Sequence, residues 1–404
     1  MSVIFRKGFD LKQEVAGALA DDYNSALVDR IKTSDFRHRA GRLTVHLARE
    51  FGFCYGVDRA VDYAYQTRRR FPDKRVFLTG EIIHNPHVNS RLREEGIRFL
   101  SDPHEDPATL GSGDVVILPA FGVTVTQMAQ LDAQGCTLVD TTCGSVLNVW
   151  KNVIRYAQDG FTSIIHGKVY HEETQATASQ ALKYANGHYL VVLDKAQAGS
   201  VCDYIRHADD PVVFRAAFAA AMSPGFDPDR HLRRIGLANQ TTMLMSESLE
   251  IGEMFRQAMI ERYGEPALEQ HYRAFDTICS ATQDRQDAVV ELLKAQPLDL
   301  MIVVGGYNSS NTVNLARICA AEVPTFHIAE PASLVSATEL WYKPAAGQPV
   351  APDVLRNERG EVCARDWLPR SGELSVGLTA GASTPNAIVG QVIAKLEAFA
   401  QSHA

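Results

Sequence analysis

The amino-acid sequence predicts an α/β fold of three pseudo-threefold-related lobes, each a small parallel sheet with flanking helices. The chain has 404 residues, which is long for a single hydrophobic core and favours two or three domains. A strand that ends in a cysteine and precedes a helix occurs three times, at Cys54, Cys143 and Cys279. A polar loop follows each cysteine at a matching distance of 30, 28 and 29 residues, beginning at His84, His171 and Asn308. Strands that alternate with helices in this way imply parallel sheets.

The elements of each lobe follow one order. The first strands lie at residues 43–47, 137–143 and 275–279, and the helices after them at 57–65, 146–150 and 286–293. The second strands lie at 75–78, 162–165 and 300–304, before the polar loops. The third segments lie at 115–122, 235–242 and 374–385, where Thr384 and Pro385 are typical of a helix start. Ligands bind beyond the carboxyl ends of parallel strands, so we expect these loops to face one shared central site.

The spacing also predicts the domain boundaries. Residues 1–40 form an extension that we expect to be a surface-packed helical arm; its six aspartate and glutamate residues do not suit a transit peptide. We assign 41–134 to lobe 1, with the C-terminal helix 386–404 packing back on it. Lobe 2 spans 135–274 with a solvent-facing insertion at about 195–233. Lobe 3 spans 275–385 with a second insertion at about 331–372.

Composition narrows the functional class. The formal net charge of −8 argues against a general nucleic-acid binder or a protein of acidic membranes. No apolar run is long enough to span a bilayer. Seven scattered cysteines do not resemble a disulfide framework, so we expect a reducing compartment, the cytoplasm.

The three cysteines at strand ends are the candidate metal ligands. A buried structural thiol is the common fate of a single cysteine, but core thiols have no reason to recur at matched positions. Three thiolates hold either zinc or an iron–sulfur cluster with one open position, and the spacing does not choose between them. The cysteines outside the pattern are expected to be structural, namely Cys136, Cys202, Cys319 and Cys363.

The polar loops suggest an anion site and a proton donor. Hydroxyl, amide and helix-terminal N–H groups suit a phosphate or diphosphate, although capping or structural histidines are the plainer readings of any single loop. The candidate anion ligands are His84, Asn85, His171, Ser309, Ser310, Asn311 and Ser383. Glu173 has no counterpart in the other loops and would hold or deliver a proton, with Thr241 and Thr242 as a hydroxyl relay; a solvated residue near a helix start is the alternative.

The motifs at these positions identify a family. The chain resembles the LytB-type 4-hydroxy-3-methylbut-2-enyl diphosphate reductases over nearly its whole length from about residue 43. It is most similar to the longer branch, which has an N-terminal extension and insertions. The motifs that carry the resemblance are Gly52-Phe53-Cys54-Tyr55-Gly56-Val57, Ile83-His84-Asn85, Asp140-Thr141-Thr142-Cys143, His171-Glu172-Glu173, Gln240-Thr241-Thr242, Asn308-Ser309-Ser310-Asn311 and Thr379-Ala380-Gly381-Ala382-Ser383.

The resemblance implies an iron–sulfur oxidoreductase of isoprene biosynthesis. It implies a central [4Fe–4S] cluster with one open iron, held by Cys54, Cys143 and Cys279. It further implies a proton-delivering Glu173 with Thr241 nearby, and a diphosphate bound by His84, His171, Ser309, Ser310, Asn311 and Ser383. Such enzymes use two electrons and two protons to remove a hydroxyl as water, giving isopentenyl or dimethylallyl diphosphate. The expected electron donor is a ferredoxin or flavodoxin.

The chain departs from the family pattern at two positions. Many members have a histidine where Phe121 stands, so this side chain cannot donate to the diphosphate, and backbone N–H groups or solvent must compensate. Many also have proline where Gly144 follows the second cysteine, which leaves that loop more flexible.

Two other functions remain compatible with the residues. An iron–sulfur hydratase or dehydratase would use the open iron only as a Lewis acid and need no electrons. A binding or sensor protein would hold zinc with the same three thiolates.

Overall fold

The computed structural model describes residues 2–275 and 277–401. The strands are β1 (Ile4–Phe5), β2 (Arg37–Ala40), β3 (Leu43–Leu47), β4 (Val76–Leu78), β5 (Arg98–Phe99), β6 (Val115–Leu118), β7 (Thr137–Asp140), β8 (Thr162–His166), β9 (Tyr189–Val192), β10 (Ile235–Asn239), β11 (Tyr272–Ala274), β12 (Leu300–Val304), β13 (Thr325–Ile328), β14 (Leu334–Ser336), β15 (Glu339–Tyr342), β16 (Val362–Arg365) and β17 (Leu374–Ala380). The helices are α1 (Lys12–Tyr23), α2 (Ala26–Thr33), α3 (Tyr55–Arg70), α4 (Pro86–Glu94), α5 (Val125–Gln134), α6 (Gly144–Gln158), α7 (Glu172–Ala181), α8 (Lys195–His207), α9 (Pro211–Ala217), α10 (Pro228–His231), α11 (Met245–Tyr263), α12 (Leu268–His271), α13 (Ser280–Ala295), α14 (Ser310–Ala320) and α15 (Asn386–Gln401). Position 276 of the predicted third cysteine strand and 402–404 of the predicted last helix lie outside the described residues.

The chain divides into two compact units. The first unit comprises Met1–Lys7, Asp73–Gly80 and Arg98–Cys279. It holds one parallel sheet of order β1-β7-β6-β4-β5 and another of order β11-β10-β8-β9.

The second unit comprises Gly8–Pro72, Glu81–Ile97 and Ser280–Ala404. Its main sheet has the order β13-β12-β17-β3-β2 and is parallel except for the β2–β3 pair. A small antiparallel sheet, β14-β15-β16, covers part of the same core. The predicted α/β class with small parallel sheets and flanking helices is confirmed.

Local sequence explains where these elements begin. The central strands β8, β10 and β12 are buried at every position, as expected for parallel strands covered on both faces. Helix α5 begins with a capping box in which Thr124 and Gln127 satisfy each other's backbone N–H groups. Asn85 caps α4 with Pro86 in its first turn, and Ser309 caps α14. The polar loops that precede α4 and α14 are therefore anchored by their own helix starts.

Sheet membership differs from the predicted lobe boundaries. Strand β3, assigned to lobe 1, pairs with β17 in register Leu43↔Leu374, and β7, assigned to lobe 2, pairs with β6. The predicted lobe boundary at 134/135 divides the β6–α5–β7 unit. In this unit the crossover helix α5 returns the chain to the side of β6, so that β7 pairs with β6 in the same sheet. Each cysteine therefore follows a strand that completes the sheet of another repeat: β3 beside β17, β7 beside β6 and β11 beside β10.

The two predicted insertions are not simply solvent-facing, so that part of the prediction is wrong. Helix α8 packs against α11 and buries Val201, Cys202 and Ile205 in the core of the first unit. In the second unit, Leu340 and Trp367 join the core around β3, β12 and β17. Both segments contain many aspartate, proline and arginine residues, and this composition obscured the apolar residues that they bury.

Helices α1, α2 and α15, which lie near the two ends of the chain, pack within the second unit. In the predicted N-terminal arm, α1 and α2 bury Val15, Tyr23, Val28 and Ile31. Helix α15 packs against α1, α2 and β3. Among the helices of the described ranges, none combines the length and the apolar composition needed to cross a bilayer.

Candidate active site

Each pattern cysteine lies at a helix start and donates its backbone N–H to a loop that follows a third-step strand. Cys54 caps α3 and donates to Ala382 O at 3.1 Å. Cys143 caps α6 and donates to Ala120 O at 2.9 Å. Cys279 immediately precedes α13 and donates to Thr241 O at 3.2 Å. The repeat seen in the sequence is thus a repeat of backbone hydrogen bonds, which fixes all three cysteines in the same way within their units.

Accessibility separates these three cysteines from the other four. All seven lie in described ranges and are thiols rather than disulfides; Cys54, Cys143 and Cys279 are partly accessible. Burial raises the pKa of the four remaining thiols, to about 12 for Cys202, and in the same direction for Cys136, Cys319 and Cys363. Metal ligation requires thiolates, and helix N-termini favour negative charge. The chemistry of each pattern cysteine therefore suits metal ligation better than that of the other four thiols.

In the first unit, the loop that begins α7 holds a buried carboxylate. Glu173 is 3% exposed, which excludes the alternative of a solvated residue near a helix start. Its Oε1 accepts the backbone N–H of Thr241 at 2.5 Å. Since Thr241 O accepts from Cys279, one peptide segment contacts both the predicted proton donor and a predicted metal ligand.

His171 has a defined tautomer in the same loop. Its Nδ1 accepts the backbone N–H of Glu173 at 3.1 Å, so a neutral ring carries its proton on Nε2 and can donate from that atom. The ring of Phe121 meets it edge-on with centroids 5.9 Å apart. Phe121 cannot donate to a ligand, but it restricts the orientation of the His171 ring.

In the second unit, His84 lies beside two other predicted ligands. The side chain is 9% exposed, and its Nδ1 lies 2.8 Å from Glu81 Oε2. Ser383 Oγ donates to the His84 carbonyl at 3.2 Å. Gly306 makes room for this arrangement, because a Cβ there would lie 2.4 Å from His84 O.

The start of α14 supplies the remaining predicted ligands. Ser309, Ser310 and Asn311 are all buried, and Ser309 accepts the backbone N–H of Thr312. Asn311 Oδ1 accepts the backbone N–H of Ala382 at 2.9 Å. Its Nδ2 is buried without a hydrogen-bond acceptor in the described chain. A buried donor of this kind is costly unless a ligand satisfies it.

Two residues that support the site, Glu81 and Gln240, are not among the predicted site residues. Glu81 orients His84. Its position three residues before the histidine is the sequence feature that could have indicated this role. The sequence marks Gln240 only as part of the motif 240–242, although its side chain joins several loops. Within the first unit the structure brings Glu173, Thr241 and Cys279 together, and within the second His84, Asn311 and Ser383 share one loop system. Cys54 shares that system too, through Ala382.

Known proteins resemble this chain over nearly its full length. The family model described as LytB protein matches residues 45–397. A 4-hydroxy-3-methylbut-2-enyl diphosphate reductase from Thermosynechococcus vestitus is 46% identical over 397 residues, covering 98% of this chain and 94% of that protein. Enzymes of the same name are 48% identical in Synechococcus sp. (strain RCC307), covering 98% and 94%, and 47% identical in Gloeobacter violaceus, covering 97% and 91%.

Solved structures match as well. One of (E)-4-hydroxy-3-methyl-but-2-enyl diphosphate reductase, described as the terminal enzyme of the non-mevalonate pathway, is 25% identical with a TM-score of 0.52, covering 88% of this chain and 99% of that one. The reductase from Plasmodium falciparum, at 20% identity and a TM-score of 0.59, covers 87% and 86% and shares the fold. With a family match across residues 45–397 and relatives of 46–48% identity, the chain belongs to the LytB protein family.

Proposed function

We propose that the chain reduces 4-hydroxy-3-methylbut-2-enyl diphosphate to isopentenyl diphosphate and dimethylallyl diphosphate, the last step of the non-mevalonate isoprenoid route. Relatives that carry this enzyme's name match 97–98% of the chain. The observation that carries the proposal is the buried Glu173 carboxylate, which accepts the backbone N–H of Thr241. The backbone oxygen of the same Thr241 accepts the N–H of Cys279. This arrangement links an acid that is shielded from water, Glu173, to a thiol that suits metal ligation, Cys279.

The cofactor of the proposed reaction is a [4Fe–4S] cluster bound by Cys54, Cys143 and Cys279. When bound, such a cluster supplies electrons and, at an iron without a protein ligand, a Lewis acid. Support from this chain comes from its thiols. Three of them are partly accessible and lie at helix starts, whereas the other four are buried and burial raises their pKa.

The diphosphate is assigned to imidazole, hydroxyl and amide side chains. These are His84, His171, Ser309, Ser310, Asn311 and Ser383. The N-terminus of α14 favours an anion, and the unsatisfied Nδ2 of Asn311 is a buried donor for an oxygen that the described chain does not supply. His171 would donate from Nε2, because Nδ1 is already occupied by Glu173 N–H.

Glu173 is assigned to proton delivery, with Thr241 as its partner. In the net reaction, a carbon–oxygen bond breaks, a carbon–hydrogen bond forms, and the hydroxyl leaves as water with two electrons and two protons consumed. The Thr241 N–H holds the carboxylate oxygen in place, and burial keeps bulk water away from it. The electrons come from a reductant, which we expect to be a ferredoxin or flavodoxin in the cytoplasm.

The proposal is tested by turnover under anaerobic conditions. Protein purified without oxygen is mixed with reduced methyl viologen and 4-hydroxy-3-methylbut-2-enyl diphosphate. We expect substrate-dependent dye oxidation with two viologen radicals consumed per product, and both isopentenyl and dimethylallyl diphosphate. Cluster-loaded protein that leaves the dye reduced contradicts the reductase and favours a hydratase, which needs no electrons.

A further inference from the structure

The side chain of Gln240 joins three segments of the first unit that surround Glu173. Gln240 directly follows β10 and is fully buried. Its backbone N–H donates to His166 O at 2.8 Å, which extends the pairing of β10 with β8 by one residue. The residue therefore starts from a fixed backbone position.

The carboxamide has one possible orientation. Its Oε1 accepts from the Lys168 backbone N–H and from Thr174 Oγ1, both at 3.1 Å, and its Nε2 donates to Thr242 Oγ1 at 3.0 Å. Because a backbone N–H can only donate, the amide oxygen must face Lys168. The three bonds connect the loop after β8, the first turn of α7 and the loop after β10.

Gly167 provides the space for this arrangement. A Cβ at Gly167 would lie 2.8 Å from Thr174 Oγ1 and 3.0 Å from Gln240 Cβ. Any side chain there would push Thr174 and Gln240 apart. The packing is thus built around the contact between these two residues.

The contact between Thr174 and Gln240 lies next to the contact between Thr241 and Glu173, the proposed acid. Thr174 follows Glu173, and Gln240 precedes Thr241, so the two loops are cross-linked at neighbouring residues. One link is Thr174 Oγ1 to Gln240 Oε1, and the other is Thr241 N–H to Glu173 Oε1 at 2.5 Å. The position of the Glu173 carboxylate therefore depends on the Gln240 carboxamide.

We infer that Gln240 is a positioning residue for Glu173, an inference that rests on the proposed function. Without the carboxamide, the first turn of α7 loses one of its two links to the loop after β10, and the remaining bond to the Glu173 carboxylate no longer holds its alignment. A carboxylate at position 240 preserves the shape but adds a second buried negative charge to the same pair of loops. Like charges disfavour ionisation of both groups, so Glu173 would then hold its proton to higher pH.

The test compares Gln240→Leu and Gln240→Glu with Gln180→Leu. Gln180 is a matched control, because it is buried on α7 and its Nε2 bonds to Ala176 O at 3.2 Å within the same helix. For Gln240→Leu we expect kcat to fall about 10- to 100-fold with unchanged iron content, and KM to change less than about threefold. For Gln240→Glu we expect the pH profile of kcat to move upward by about one unit. Gln180→Leu should keep the wild-type kcat and pH profile.

The outcomes separate this inference from the proposed function. A Gln240→Leu protein whose kcat equals that of Gln180→Leu overturns the positioning role. If Gln240→Leu does not fold, the pH profile of Gln240→Glu decides, and an unshifted profile overturns the inference alone. A wild-type protein that fails to turn over the substrate overturns the proposed function, and this inference with it.

Discussion

At the scale of single residues, Glu173 and its neighbour Glu172 differ in environment although both lie in the first turn of α7. Glu173 is buried against the Thr241 peptide, whereas Glu172 is exposed. Sequence alone could not separate them, since acids are favoured at any helix start. The lack of a counterpart in the other repeats singled out Glu173, and its burial now supplies the physical reason.

This difference predicts the effect of replacing each carboxylate. Glu173→Gln keeps the shape and the buried oxygen but removes the proton, so we expect kcat to fall about 100-fold or more with iron content unchanged. Glu172→Gln should retain kcat within about threefold, because its carboxylate is exposed to solvent whereas that of Glu173 is buried. Steady-state viologen oxidation and iron analysis measure both variants. Wild-type turnover by Glu173→Gln removes this residue from its assigned role.

At the scale of elements, the loop between β12 and α14 is held from two sides. His327 on β13 places its Nε2 2.9 Å from Gly305 O, and Gly306 packs on the His84 carbonyl. The start of α14, with Ser309 to Asn311, follows directly. The position of the α14 start therefore depends partly on His327, which is not among the assigned ligands.

The Gly306 contact predicts a binding defect. In Gly306→Ala the new methyl group would meet a backbone oxygen at 2.4 Å, so the loop must move away from His84. We expect KM for the diphosphate substrate to rise about tenfold or more, while iron content stays at the wild-type level. Gly113→Ala is the matched control, since its methyl group would meet nothing within 4 Å. An unchanged KM in Gly306→Ala would show that the α14 loop does not bind the substrate.

The burial of His327 predicts a pH dependence of stability. Burial lowers the pKa of His327 to about 4, whereas an unfolded histidine titrates near 6.5. The contribution of the buried, neutral His327 ring to folding stability is therefore complete above about pH 6.5 and is lost as the pH falls towards about 4. Between pH 7.5 and 5 this single group should lower the free energy of unfolding by about 2 kcal/mol. Urea unfolding of wild type and His327→Gln at both pH values measures it; equal pH dependence in the two proteins contradicts the assignment.

At the scale of the whole molecule, the repeat was readable in the sequence but its strand pairing was not. Cys54, Cys143 and Cys279 and their following loops recur at nearly constant spacing, which any one-dimensional comparison can detect. The pairing of β3 with β17 joins residues more than 300 positions apart, and nothing local to Leu43 specifies that partner. The structural role expected for Cys202 is consistent with its burial, but the core role of α8 as a whole was hidden, because this helix contributes apolar residues within a polar segment.

The repeat makes a prediction about the seven cysteines. If each lobe contributes one ligand, Cys279→Ser should lose much of its bound iron, because a serine hydroxyl is a poor substitute for a thiolate. Cys136→Ser is the control, since that thiol is buried and lies outside the repeat. It should retain iron at the wild-type level even if its stability falls. Full iron content in Cys279→Ser would contradict the three-cysteine assignment.

We propose that three cysteines, one from each repeat, hold an iron–sulfur cluster at which a diphosphate substrate is reduced. An iron and acid-labile sulfide count on anaerobically purified wild-type protein, read with its absorption spectrum, tests this ligand assignment. We predict brown protein with about four iron and four sulfide ions per chain. Colourless protein with one zinc ion per chain and no sulfide would contradict it.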